Sequence, residues 1–178
     1  MGITKDGDKV EKKAEKLVGS MRINPDKSAI GKAKGDVIVA LRNNSKIEFY
    51  AESKKNTMNQ TRPCKYIPHF VQDDKAGDWF VIPPDDLVKM ALGRKGQHAK
   101  DSMEVVGLGE VKRLTKAGNP TRWEKYYCEP QELEIRLWEA YEQGERNKKL
   151  KEYCASFRKR VEERAEQTQS ELKVLLHG

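Results

Sequence analysis

Asp36 opens the run Asp36-Val-Ile-Val-Ala-Leu41, and a second run, Phe49-Tyr-Ala-Glu52-Ser53-Lys54, follows a short turn. Two acidic side chains with a lysine two residues beyond the second suit one chemistry. Carboxylate oxygens hold a hard divalent cation such as Mg²⁺. A bound cation lowers the pKa of its water and stabilises charge on phosphorus. A neighbouring ammonium positions or deprotonates the water and offsets negative charge. Groups so placed would suit hydrolysis of a phosphodiester.

The elements must then bring these groups together. Asp36–Leu41 is short, continuous and β-branched, and reads as a buried strand. Asn43-Asn44 is a hairpin turn. Lys46–Lys54 alternates, with Glu48, Tyr50, Glu52 and Lys54 on one face. Folded as a hairpin, these strands place Asp36 and the far end of the second strand side by side.

The spacing of the triplet carries no weight alone. Glu11-Lys-Lys13, Asp73-Asp-Lys75, Glu110-Val-Lys112 and Glu171-Leu-Lys173 share it. The first and last fall on expected helices and the second in a loop, and Glu110 lacks a preceding Asp-led strand. The alternative for Asp36, Glu52 and Lys54 is a surface ion-pair cluster, which contributes little to stability.

Around the hairpin the chain reads as a helix over 6–20, a turn-rich stretch from Met21 to Gly35, and extended chain over Tyr66–Val71. A strand follows at Asp78–Ile82, then a short helix from Asp85 or Asp86 to Gly93. A strand is expected at Met103–Leu108, reaching towards Leu114, and extended chain at Trp123–Tyr127. Helix follows from Gln131, with a break at Gly144. Leu150, Cys154, Phe157, Val161, Ala165, Leu172 and Leu175 form an apolar stripe on that last segment. It fits a helix folded back on its own sheet or a dimerisation helix, and packing on the domain is the expected use. The order describes an α/β or α+β sheet domain with a C-terminal helical extension, divided as 1–128 and 129–178.

Composition narrows the partners. The 178 residues are 35% charged and 37% hydrophobic, with 35 Lys+Arg against 28 Asp+Glu, net +7. That field favours polyanions. No apolar run suits a bilayer span, and the charged first residues carry no signal core, so the expectation is cytoplasmic and away from membranes. Cys64, Cys128 and Cys154 form no C-x-x-C, and the three histidines no metal spacing, so neither a zinc site nor a disulfide framework is expected. Gly31-Lys-Ala-Lys-Gly35 lacks the Gly-Lys-Ser/Thr ending of a phosphate-binding loop, and no small-molecule cofactor is expected. Lys32, Lys34, Arg62, Lys65, Arg94, Lys95 and His98 are candidate phosphate contacts. Each could equally be solvated. Trp79 and Trp138 read as core. Trp123, Tyr126 and Tyr127 could stack on bases, with packing the favoured role.

Gly35-Asp36-Val-Ile-Val and Phe49-Tyr-Ala-Glu52-Ser53-Lys54 together resemble the PD-(D/E)XK, or restriction-endonuclease-like, nuclease superfamily, over roughly residues 6–92. Asn59-Gln60-Thr-Arg62-Pro63, Tyr66-Ile67-Pro68 and Asp78–Pro83 are most similar to type II restriction-enzyme-like members. Gly35 stands where the family has proline. The resemblance implies a mixed central sheet flanked by helices and a Mg²⁺-dependent endonuclease acting on DNA, with Mn²⁺ able to substitute. It implies Asp36 and Glu52 as metal ligands, the Ser53 carbonyl as a third, and Lys54 acting on the attacking water. Gln60 is a further candidate, and Glu11 or Glu15 a candidate accessory acid on the first helix. A homodimer would suit cleavage of two strands. Rival expectations are a repair or junction-resolving nuclease, a non-catalytic nucleic-acid binder with a nuclease-like sheet, and a charged structural protein with a coiled-coil tail.

Overall fold

The computed structural model describes residues 5–93 and 103–177, with side chains from Val10 onward. Arg94, Lys95 and His98 lie outside the described residues. The chain builds α1 (Lys5–Leu17), β1 (Met21–Ile23), α2 (Ala29–Lys34), β2 (Val37–Leu41) and β3 (Asn44–Lys55). There follow β4 (His69–Asp73), β5 (Asp78–Ile82), α3 (Pro84–Leu92), β6 (Tyr127–Cys128), α4 (Leu133–Arg146) and α5 (Lys148–His177).

The strands form one six-stranded sheet in chain order. Every neighbouring pair is antiparallel except β3 and β4, which run parallel. The sheet is therefore mixed and flanked by helices. A parallel pair needs a crossover rather than a tight turn, and residues 56–68 supply it without a helix. A 3₁₀ turn at Pro63–Lys65 ends on Tyr66 in the left-handed region, which reverses the chain into β4.

Alternating side chains feed two cores. Trp79 and Val81 of β5 join Val37, Val39, Phe49, Ala51 and Phe70 on the face covered by α1 and α4, where Val10, Ala14, Leu133 and Leu137 are buried. Phe80 and Ile82 point the other way, to Leu87 and Val88 of α3, Met58 and Cys64 of the crossover, and Cys154 of α5. Trp123 and Tyr126 are buried in this second core, as packing residues. Trp138 is half-buried, and its Nε1 donates to the Ala40 carbonyl at 2.9 Å.

Several expectations change in detail. The turn between β2 and β3 is Arg42-Asn43, because Leu41 pairs with Asn44 across a register shift after Ala40. The stretch after Met21 begins with β1 and contains α2, whose N-cap Ser28 accepts from Gly31 N–H at 3.1 Å. Trp123–Tyr127 is not extended: Glu124–Tyr126 is a 3₁₀ turn, and only Tyr127 and Cys128 join the sheet. The helical segment breaks at Asn147, not Gly144.

The strand expected at Met103–Leu108 is absent from the sheet. This segment runs against the crossover through isolated bridges, Thr61 to Val106 and Thr57 to Glu110. Val106 N–H donates to the Thr61 carbonyl at 2.8 Å, and Leu108 N–H to Met58 at 3.1 Å. Met103, Val106 and Leu108 are buried against the crossover, so a strand-like pattern arises without a ladder. The apolar stripe of α5 is likewise only partly used. Cys154 is buried, but Leu172 and Leu175 are 53% and 82% exposed.

Gly35 sits where β3 leaves no room for a side chain. A Cβ there would lie 2.8 Å from Tyr50 Cβ and 3.1 Å from the Ala51 carbonyl. Gly35→Ala is expected to lower the unfolding free energy by about 1–3 kcal/mol, read from urea denaturation. An unchanged midpoint at unchanged slope would contradict this packing.

Candidate functional site

Register places the acidic groups. Val37 pairs with Ala51, and Asp36 N–H donates to the Ala51 carbonyl at 3.0 Å. Asp36 thus stands beside Glu52 where β2 begins. β3 runs beyond that point. Glu52 N–H donates towards β4, to Pro68, so Ser53 N–H points to the side without a β2 partner. Asp36 Oδ2 takes that place, accepting from Ser53 N–H at 2.9 Å and lying 3.3 Å from Ser53 Oγ.

Ser53 Oγ also lies 3.2 Å from Glu11 Oε1. A hydroxyl has one proton to donate, so it serves one acid or the other at a time. Glu11, on α1, is buried and faces Ser53. Glu15 instead accepts from Ile23 N–H. Of the two helix acids considered, Glu11 reaches this cluster.

Burial and the neighbouring Glu52 carboxylate raise the Asp36 carboxyl from 3.8 to about 6, against the Ser53 N–H bond, which lowers it. Glu52 is 8% exposed. Its Oε2 forms an ion pair with Lys65 Nζ at 2.7 Å. Its Oε1 is buried without a hydrogen-bond partner.

His69 pairs with Glu52 across β3 and β4, so both side chains point to one face. The ring is fully buried, and burial lowers its pKa to about 3. It is therefore neutral, and Nδ1, 2.9 Å from the Ile67 carbonyl, must carry the proton. Nε2 keeps its lone pair and has no partner. Among the described residues, Glu52 Oε1 and His69 Nε2 are the buried side-chain atoms left unpaired.

Lys54 projects from the same face as Glu52. Its Nζ donates to the carbonyls of Gln60 at 3.2 Å and Asn59 at 3.4 Å. Burial lowers its pKa, while Glu52 and Asp36 oppose that shift. Gln60 takes part through its backbone, with positive φ, and its side chain is exposed. Lys32, Lys34 and Arg62 are exposed. Lys32 lines a cleft of about 190 Å³ with Lys27, Asn24, Asp26, Glu11, Gly35 and Asp36.

The donor set suits a hard divalent cation in part. Among the described residues no group of three His, Cys, Asp or Glu is gathered as a metal cluster. The site offers two carboxylates, and the Ser53 carbonyl lies on the open side of β3. The observation that favours a cation is local: a buried carboxylate oxygen without a partner stands beside a second carboxylate whose ionisation is disfavoured. Positive charge would relieve both.

No family model matches the chain, and no curated protein or solved structure matches it significantly.

Of the residues that sequence reasoning singled out, Glu52 and Lys54 share one face of β3, Ser53 Oγ and Glu11 meet on the other, and Asp36 stands at the strand edge between them. Sequence reasoning missed His69 and treated Lys65 only as a phosphate contact. Neither position carries a local signal, because both are placed by the irregular crossover and the parallel pairing of β4.

A carboxyl whose pKa is raised on folding stabilises the fold fully below its unfolded value and loses that contribution as pH rises through the folded value. For Asp36 that window runs from 3.8 to about 6. In EDTA, Asp36→Asn should melt roughly 5 °C above the parent protein at neutral pH, with the gap shrinking below pH 5. Equal melting temperatures at both pH values would contradict the buried repulsion.

Proposed function

We propose that this chain is a metal-dependent nuclease of the restriction-endonuclease-like kind, hydrolysing phosphodiester bonds in DNA. The observation that carries the reading is the pairing of Asp36 with Glu52 at the parting of β2 and β3, with Lys54 on the Glu52 face. A mixed sheet between helices and a net charge of +7 support it.

On this reading Asp36 and Glu52 would hold the cation, with the Ser53 carbonyl as a third oxygen. The ion supplies an acidified water and charge neutralisation at phosphorus. Ser53 N–H fixes the orientation of Asp36. Glu11, through Ser53 Oγ, supports that arrangement from α1. Lys54 is held over the site by two backbone carbonyls, and its lowered pKa suits a group that exchanges a proton with water. Water would attack phosphorus and lose its proton to solvent, the P–O3′ bond would break, and the 3′-oxygen would take up a proton from a second water. Lys32 and Lys27, which line the same cleft as Asp36, suit a neighbouring phosphate.

The test is cleavage of plasmid, single-stranded and four-way-junction DNA with Mg²⁺, Mn²⁺ or EDTA, with binding measured in parallel. Cutting should require the cation and fall roughly 10²-fold or more in Asp36→Asn, Glu52→Gln and Lys54→Ala. DNA binding without cutting, unaltered by all three substitutions, would overturn the nuclease in favour of a non-catalytic binder.

A further inference from the structure

Lys65 lies at the end of the 3₁₀ turn in the crossover, not on a strand. Its ammonium is nevertheless 2.7 Å from Glu52 Oε2, and the two side chains are only 9% and 11% exposed. Among the described residues it is the cation within ion-pair distance of this carboxylate. Lys54, the lysine of the triplet, is engaged with carbonyls instead.

Removing a partner from a buried ion pair is strongly unfavourable, because it strands the other charge. Glu52 therefore needs a positive neighbour at all times. A divalent cation bound by Glu52 would sit within bonding distance of the same carboxylate group. Two positive centres would then stand a few ångströms apart where screening by water is weak.

From this geometry we propose that Lys65 is the resident counter-ion of Glu52, which a divalent cation displaces, freeing the ammonium for a substrate phosphate. The proposal rests on the metal-site reading above. Lys65 is thereby a built-in competitor that lowers the affinity of the empty site for metal and holds Glu52 in place until metal arrives. No bond is made or broken in the exchange. One ion pair is replaced by another.

The experiment is calorimetric titration of the whole chain with Mn²⁺ alone, and with Mg²⁺ alone, without DNA. Lys65→Gln and Lys65→Met should bind Mn²⁺ roughly 10-fold more tightly than the parent, within the usual range of site–site coupling. Lys65→Arg, which keeps the charge, should bind as the parent does. A side chain that merely supported the fold would give the opposite sign, because its loss loosens the site. A second measurement needs no altered residue in the protein observed. The Lys65 ammonium NMR signal, assigned by its absence in Lys65→Arg, should shift during the titration with the calorimetric Kd.

Unchanged or weaker Mn²⁺ binding in both uncharged variants, or an ammonium signal that stays put through saturation, would overturn the proposal even if the protein cuts DNA. Tighter binding in the variants with no cleavage of any DNA would leave the exchange standing and remove the nuclease. A parent chain that binds neither ion would overturn both.

Discussion

Two carboxylates held side by side, Glu52 buried and Asp36 half-buried at a cleft, demand positive charge, and the rest of this site is arranged around that demand. Asp36 meets it partly by taking up a proton more readily and by accepting Ser53 N–H. Glu52 meets it with Lys65 on one oxygen and leaves the other bare. Each solution is incomplete. A structural salt bridge would satisfy both carboxylate oxygens, whereas here Glu52 Oε1 stays buried without a partner.

The sheet makes this arrangement possible by a division of labour. Strands carry the acids: β2 and β3 are fixed by their register and by the cores on both faces, so the carboxylates cannot separate without unpairing Val37 and Ala51. The crossover carries Lys65 and the carbonyls that hold Lys54. It is tied down by the 103–111 segment, which donates and accepts along its length. The acids therefore ride on regular pairing and the cations on irregular chain. The proposed exchange of one positive partner for another would benefit from this, since the irregular side can shift without disturbing the ladder.

How much of this could be read in advance follows from how local each signal is. β5 is bounded as its apolar run suggests, and β2 and β3 nearly so, because β-branched content and alternation are local. Glu52 and Lys54 share a face for the same reason. The hairpin turn is displaced by one residue because the irregularity at Ala40 and Leu41 leaves no mark on composition. Met103–Leu108 looks like a strand because burial against the crossover selects the same residues as burial in a sheet. The parallel pairing of β3 with β4 depends on the path of residues 56–68. That path sets Lys65 against Glu52 and His69 beside it on the same sheet face, and no short window of sequence contains it.

The central claim is that Asp36 and Glu52 together hold a divalent cation. Anomalous diffraction from a crystal of the chain equilibrated with Mn²⁺ tests it most directly, since it reports position independently of activity. The account predicts a single strong peak bridged by the Asp36 carboxylate and Glu52, with Lys65 no longer bonded to Glu52 Oε2. Manganese found only elsewhere, or none at saturating concentration with the Lys65–Glu52 pair intact, would contradict it.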